Sequence, residues 1–167
     1  LGALEPSPDH RLLAYSTDTT GAETYTLFVK DLLTGALLSE RIDNTSYGVE
    51  WAEDNRTLFY TTMDETRRPY RLHRHRLGTD PSSDAILYEE PDGSVLLSLG
   101  KTRSRAFILV DLSSHSSSEV RYLPADEPDA PLRLMAPREP NVEYLVDHHD
   151  DRFFIVTNDG APNFRLA

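Results

Sequence analysis

The chain has 167 residues, 38% hydrophobic and 27% charged, a composition that builds a globular core and is neither disordered nor fibrous. Its 17 basic against 28 acidic residues give a net charge of −11, which argues against nucleic acid and anionic membrane surfaces as partners and suits a cationic ligand, although acidic composition is also ordinary among soluble proteins. There is no cysteine, which excludes disulfides and thiolate metal sites, and no apolar run approaches the ~20 residues needed to span a bilayer.

Pro6 and Pro8 keep the entry extended, and Leu12 to Tyr15 then forms a short apolar run without helical spacing, which predicts a strand buried on both faces. Turn chemistry around Gly21 leads to a second strand at Tyr25 to Val29, and Leu37-Leu38 and Val49-Glu50-Trp51 predict two more. The plan then repeats, with strands at 57–62, 70–76, 85–88 and 95–99, and again at 106–112, 120–123, 132–135 and 143–146. Residues 153–157 and 164–166 open a further unit.

The repeat is marked by Asp9-His10-Arg11-Leu12-Leu13-Ala14-Tyr15, paraphrased around Arg56, Arg105 and Arg152 at spacings of 45, 49 and 47 residues. A period of this size with four short strands per period, and no amphipathic helix, selects an all-β, partial β-propeller of four-stranded antiparallel blades. The units fall at about 7–51, 52–101 and 102–147, with the start of a fourth at 148–167. On this reading the recurring stretch is a hairpin corner between the outer strand of one blade and the first strand of the next, and its arginines serve the turn or its solvent face.

Several groupings hold chemistry-bearing residues, and each also has a plain structural reading. His73 and His75 share one strand face as two metal ligands would, but without a third group they read as an exposed basic strand. His148-His149-Asp150-Asp151 reads as a turn between strands. Asp111, Ser114 and His115 are the residue types of a triad, yet they are too close in sequence for a relay. Arg67-Arg68-Pro69 predicts a basic exposed hairpin, the loop of Asp126, Glu127 and Asp129 a solvated acidic one, and Trp51 with Tyr60 packing between blades. No catalytic, cofactor-binding or metal residue is assigned.

A run of motifs carries a family resemblance. These are Ser7-Pro8-Asp9 with Leu13-Ala14-Tyr15-Ser16, Val49-Glu50-Trp51, Pro69-Tyr70 through Arg74-His75 into Leu77-Gly78-Thr79, and Leu87-Tyr88-Glu89-Glu90. Ser118-Glu119-Val120-Arg121, Glu143-Tyr144 with Asp147-His148, and Thr157-Asn158 with Ala161-Pro162-Asn163-Phe164-Arg165-Leu166 follow in the same order. Together they resemble the propeller domain of the oligopeptidase B (protease II) group in the prolyl oligopeptidase family of serine peptidases. The resemblance implies a seven-bladed propeller, of which about three and a half blades are here, capping an α/β-hydrolase domain that cleaves short basic peptides after Arg or Lys.

No Gly-x-Ser-x-Gly nucleophile elbow lies between Leu1 and Ala167, so the catalytic serine, aspartate and histidine are expected beyond the C-terminus. The chain starts without methionine and stops within a unit, which reads as a piece of a longer protein. The expectations are therefore an inactive gating portion of a cytoplasmic peptidase, without cofactor, whose open blade edges self-associate. A propeller that serves only as a binding or scaffold module is the alternative.

Overall fold

The computed structural model describes all residues, 1–167; it holds fourteen strands, a single 3-10 turn at Pro81–Ser83 and no α-helix. No helix is long and apolar enough to cross a membrane. Seven strands, β1 (Leu4–Pro6), β2 (Leu12–Thr17), β3 (Tyr25–Asp31), β4 (Leu37–Trp51), β5 (Thr57–Met63), β6 (Pro69–Arg76) and β7 (Ala85–Glu89), make one antiparallel sheet in sequential order. A second sheet contains β8 (Leu96–Lys101), β9 (Phe107–Ser113), β10 (Ser118–Pro124) and β11 (Arg133–Ala136). The third contains β12 (Tyr144–His149), β13 (Arg152–Thr157) and β14 (Arg165–Leu166).

The seven-stranded sheet is two units sharing β4, which the sequence divides into two strands. The first half of β4 pairs with β3, from Lys30↔Leu37 to Tyr25↔Thr45, and its second half pairs with β5, from Thr45↔Thr62 to Trp51↔Leu58. Asn44 takes a left-handed φ of 59° at the crossing, and the register slips between Thr45 and Val49. One strand thus leaves the outer edge of the first unit and becomes the inner edge of the second.

This pairing shifts the boundaries read from the sequence by one strand. Val49 to Trp51 pairs forward with β5, β8 pairs forward with β9, and β12 pairs forward with β13. The Asp9-to-Tyr15 stretch is therefore a hairpin inside one sheet, joining its inner strand β1 to β2, not a corner between units. A period fixes how often a unit recurs but leaves its phase open; only the hydrogen-bonding partners set the phase.

Packing between units explains why their strands read as unbroken apolar runs. Along β9, Ile108, Val110 and Leu112 face the second unit and are fully buried with Phe59, Leu72 and Leu97. The alternate residues Phe107 and Leu109 face the fourth unit with Val120 and Tyr144. Between the first two units Ala14, Leu27 and Val29 meet Trp51, Leu58 and Tyr60. Burial of each such aliphatic side chain contributes about 1.5–3 kcal/mol.

The inner strands approach closely at Gly48, where a Cβ would lie 2.8 Å from Thr61 Oγ1 and 3.3 Å from Leu99 Cβ. Glycine is the residue that lets β4 and β8 converge. Beyond the third seam, Leu145, Val156 and Leu166 are cross-strand neighbours that stay exposed, so the last sheet presents an open apolar face.

Candidate functional site

The inner strands β1, β4, β8 and β12 each end in a turn, and the turns lie at one end of the molecule. Each contains one left-handed residue: His10, Asn55, Arg105 and Asp150, with φ between 53° and 65°. Measured on this conformation, Arg11 and Arg56 follow the left-handed residue, Arg105 is that residue, and Arg152 comes two positions after it. The arginines that announce the repeat in sequence are thus not structurally equivalent throughout.

The turns carry their own hydrogen-bond sets. Asp9 Oδ1 accepts from Ser7 Oγ and from the Arg11 amide, and Asp54 accepts from the amides of Arg56 and Thr57 and from the Thr57 hydroxyl. In the third turn the hydroxyls of Thr102 and Ser104 lie 3.0 Å apart, and the Phe107 amide donates to Thr102 Oγ1. Contacts also pass between units. The Asp9 amide donates to Asn55 Oδ1 at 2.8 Å, the Glu53 amide to the Ala125 carbonyl at 2.8 Å, and the Arg103 amide to Asp147 Oδ1 at 3.0 Å.

Among these turns lies a cleft of about 290 Å³ lined by Glu5, Pro6, Glu50, Trp51, Lys101, Thr102, Arg103 and Arg105. Trp51 Nε1 donates to the Glu5 carbonyl at 2.9 Å and fixes the floor. Lys101 Nζ pairs with Glu53 Oε1 at 3.0 Å, and Arg105 Nε reaches the same oxygen at 3.5 Å. Burial, reinforced by the charge of Glu5, pushes the Glu50 carboxyl up to about 7, against the pull of Lys101 and Arg105. Burial also raises Glu5, while Lys101 lowers it.

The two carboxyls share the cleft with Lys101, Arg103 and Arg105, and burial favours the protonated form of both acids. The one hydroxyl of the cleft, that of Thr102, belongs to the turn. Sequence reasoning does not single out Glu5 and Glu50, yet a signal exists, because they are one 45-residue period apart and so occupy the same place in successive units.

His75 is fully buried, against the expectation of an exposed basic strand, because the acid missing from the sequence reading is Asp84, whose Oδ1 lies 2.8 Å from His75 Nδ1. Tyr60 OH also donates to Asp84, at 2.9 Å, and His73 stacks on the Tyr60 ring at 4.9 Å. His73 Nε2 is 2.9 Å from Thr62 Oγ1, and no cluster of three metal-ligating groups forms.

Asp150 and Asp151 do form a turn, but His148 is buried, with Nδ1 2.9 Å from Ser104 Oγ and its ring against Phe107 and Phe153. Ser114 bonds Ser117 rather than His115, so no triad assembles, and burial raises the Asp111 carboxyl to about 6. The expected exposed Arg67-Arg68 pair is half wrong. Arg67 sits in a left-handed turn, while the side chain of Arg68 is only 10% exposed and pairs with Asp64. Asp129 of the acidic loop is exposed, as expected of a solvated loop, and pairs with Arg74 and Arg76. Trp51 and Tyr60 pack between units, as expected.

Sheets stacked side by side with their first strands innermost define an open β-propeller. The family profile described as the prolyl oligopeptidase N-terminal β-propeller domain matches residues 1–167, and the chain belongs to that family. It is 44% identical over 160 residues to "Protease 2" of Moraxella lacunata, covering 95% of this chain and 23% of that protein. It is 45% identical over 169 residues to "Dipeptidyl aminopeptidase BI" of Pseudoxanthomonas mexicana, covering 100% and 23%.

Among solved structures, oligopeptidase B from Leishmania major superposes with a TM-score of 0.92 at 31% identity, over 98% of this chain and 23% of that one. Oligopeptidase B from Trypanosoma brucei with covalently bound antipain gives 0.88 at 26%, over 99% and 24%. The chain closely resembles the oligopeptidase B (protease II) serine peptidases and spans about a quarter of the length of these relatives.

Proposed function

We propose that this chain is the non-catalytic propeller portion of a serine oligopeptidase, three full blades and part of a fourth from a ring of seven. In that protein it caps an α/β-hydrolase domain and restricts the active site to short peptides, while a Ser-His-Asp triad outside residues 1–167 transfers the acyl group to water. The observation that carries this reading is the collinear likeness over nearly the whole chain to oligopeptidase B, at a TM-score of 0.92 with 31% identity. Cleavage after Arg or Lys is supported by the net charge of −11, which favours cationic peptides.

The near-equal identity to a protein named as a dipeptidyl aminopeptidase supports a second specificity, release of dipeptides from a free amino terminus. Full-length protein assayed on an arginyl amide with its amino terminus blocked separates the two. Turnover supports internal cleavage after basic residues, and turnover only with a free dipeptidyl amine supports the other. Residues 1–167 alone are expected to be inactive and to self-associate through the face of Leu145, Val156 and Leu166. Hydrolysis by that piece, abolished by a serine-directed inhibitor, would refute the assignment, and a clean monomer in light scattering would refute the association.

A further inference from the structure

The cleft of about 290 Å³ at the inner-strand ends draws on three successive units: Glu5 from β1, Glu50 from β4, and Lys101, Arg103 and Arg105 from β8 and the turn after it. Three cations converge there, and their anionic partners, Glu53 and Asp147, are not among the lining residues. Glu53 Oε1 serves both Lys101 Nζ, at 3.0 Å, and Arg105 Nε, at 3.5 Å. The Arg103 side chain is 93% exposed and has one long contact, 3.4 Å to Asp147, which leaves most of its five donors free.

The two carboxyls inside the cleft do not offset this charge in full. Burial, with Glu5 beside it, favours the neutral form of Glu50 against the pull of Lys101 and Arg105, and burial does the same for Glu5. A neutral carboxyl donates a hydrogen bond, whereas a carboxylate only accepts. The cleft in that state offers donors and positive charge, the complement of a carboxylate. The inner strands of a propeller border its central channel, so the cleft stands where a small ligand in that channel meets the protein.

We propose that this cleft binds a carboxylate among Lys101, Arg103 and Arg105, and that in the oligopeptidase it receives the free C-terminal carboxylate of a short peptide. The peptide role rests on the function proposed above; the carboxylate site does not. Short peptides carry a free carboxylate close to any bond they offer, so the cleft adds a chemical criterion for length to a steric one. Glu50 is faced by Glu5 from β1, by Lys101 from β8 and by Arg105 from the β8–β9 turn, with Arg103 lining the same cleft and Glu53 holding Lys101. A carboxylate bound there adds negative charge beside Glu50, so binding takes up a proton near neutrality.

Calorimetric titration of the full-length protein with N-acetylglycine, and with N-acetylglycinamide as the uncharged control, tests the site without turnover. The acid is expected to bind and the amide not. With Glu50 titrating at about 7, affinity for the acid should fall about tenfold between pH 6 and pH 8, and buffers of different ionisation enthalpy should report proton uptake. Glu50→Gln should keep the binding, abolish the uptake and flatten the pH dependence. Arg103→Ala alters an exposed side chain and should weaken binding about tenfold. Failure of the acid to bind, equal binding of acid and amide, or binding that Arg103→Ala leaves unchanged would overturn the proposal. Peptide hydrolysis without carboxylate binding removes the site alone, whereas carboxylate binding by a protein that hydrolyses no peptide keeps the site and removes its peptide role.

Discussion

Replacing Arg68 by alanine should be among the more damaging surface-proximal changes in this chain. Its guanidinium donates through Nε to Asp64 at 2.8 Å and through Nη1 to the carbonyls of Asp92 at 2.8 Å and Val95 at 2.9 Å. Longer bonds of 3.3 and 3.4 Å reach the Glu90 carbonyl. One side chain therefore ties the β5–β6 turn to the segment that carries the chain from β7 into the next sheet.

Truncation strands those carbonyls in a partly dry site, while Asp64 keeps its bonds to the Thr66 hydroxyl and amide. A charge-assisted hydrogen bond contributes ~1.5–3 kcal/mol, and part of the loss is recovered as water enters, so the net cost should be about 3 kcal/mol. Arg68→Lys should lose most of the same amount, because a single ammonium cannot span acceptors on two segments. The control is Arg71→Ala, whose pair with Glu89 is exposed and should contribute under ~1 kcal/mol. Equilibrium urea unfolding of the purified protein measures all three. An Arg68→Ala variant within about 1 kcal/mol of the parent would refute the clamp.

Glu50 has a folded-state pKa raised to about 7 from 4.5, so its contribution is complete below pH 4.5 and is lost as pH rises through 7. Stability should fall across that window by up to ~3 kcal/mol, and Glu50→Gln should flatten the fall when urea midpoints are measured against pH. Asp111, raised to about 6, has the same sign between pH 3.8 and 6, and Asp111→Asn should remove its share of the slope. Asn55→Ala removes a left-handed turn residue and the acceptor for the Asp9 amide; a loss of about 1–2 kcal/mol is expected in the same unfolding assay. Arg105→Asn places a tolerant residue at a left-handed position and gives up a 3.5 Å contact with Glu53 and a weak pull on Glu50, so stability should be unchanged or higher by up to ~1 kcal/mol.

The fold class is legible in this sequence because a propeller writes the same physical problem several times. A strand between two units, such as Ile108 to Leu112, is buried on both faces and reads as a short apolar run, and each hairpin supplies a turn signal at regular distance. The phase of the repeat is not legible. Val49 to Trp51 follows the first unit and precedes the second with no local mark of which it joins, and the continuity of β4 across Asn44 arises only when hydrogen bonds are formed on both sides.

The site is less legible, for a related reason. Arginine was the visible ruler, whereas the quantity the backbone conserves is one left-handed residue per inner-strand turn, met by His10, Asn55, Arg105 and Asp150 in turn. A conformation that four different side chains can satisfy leaves little trace in composition. Long-range partners leave none: Asp84 is nine residues from His75, and Glu40 is 38 residues from Gly78, on a different unit. What could be found is any feature locked to the period itself. Glu5 and Glu50 are such a pair, and their cleft is the case where counting by 45 places two carboxyls side by side at the inner-strand edge before any coordinate is known.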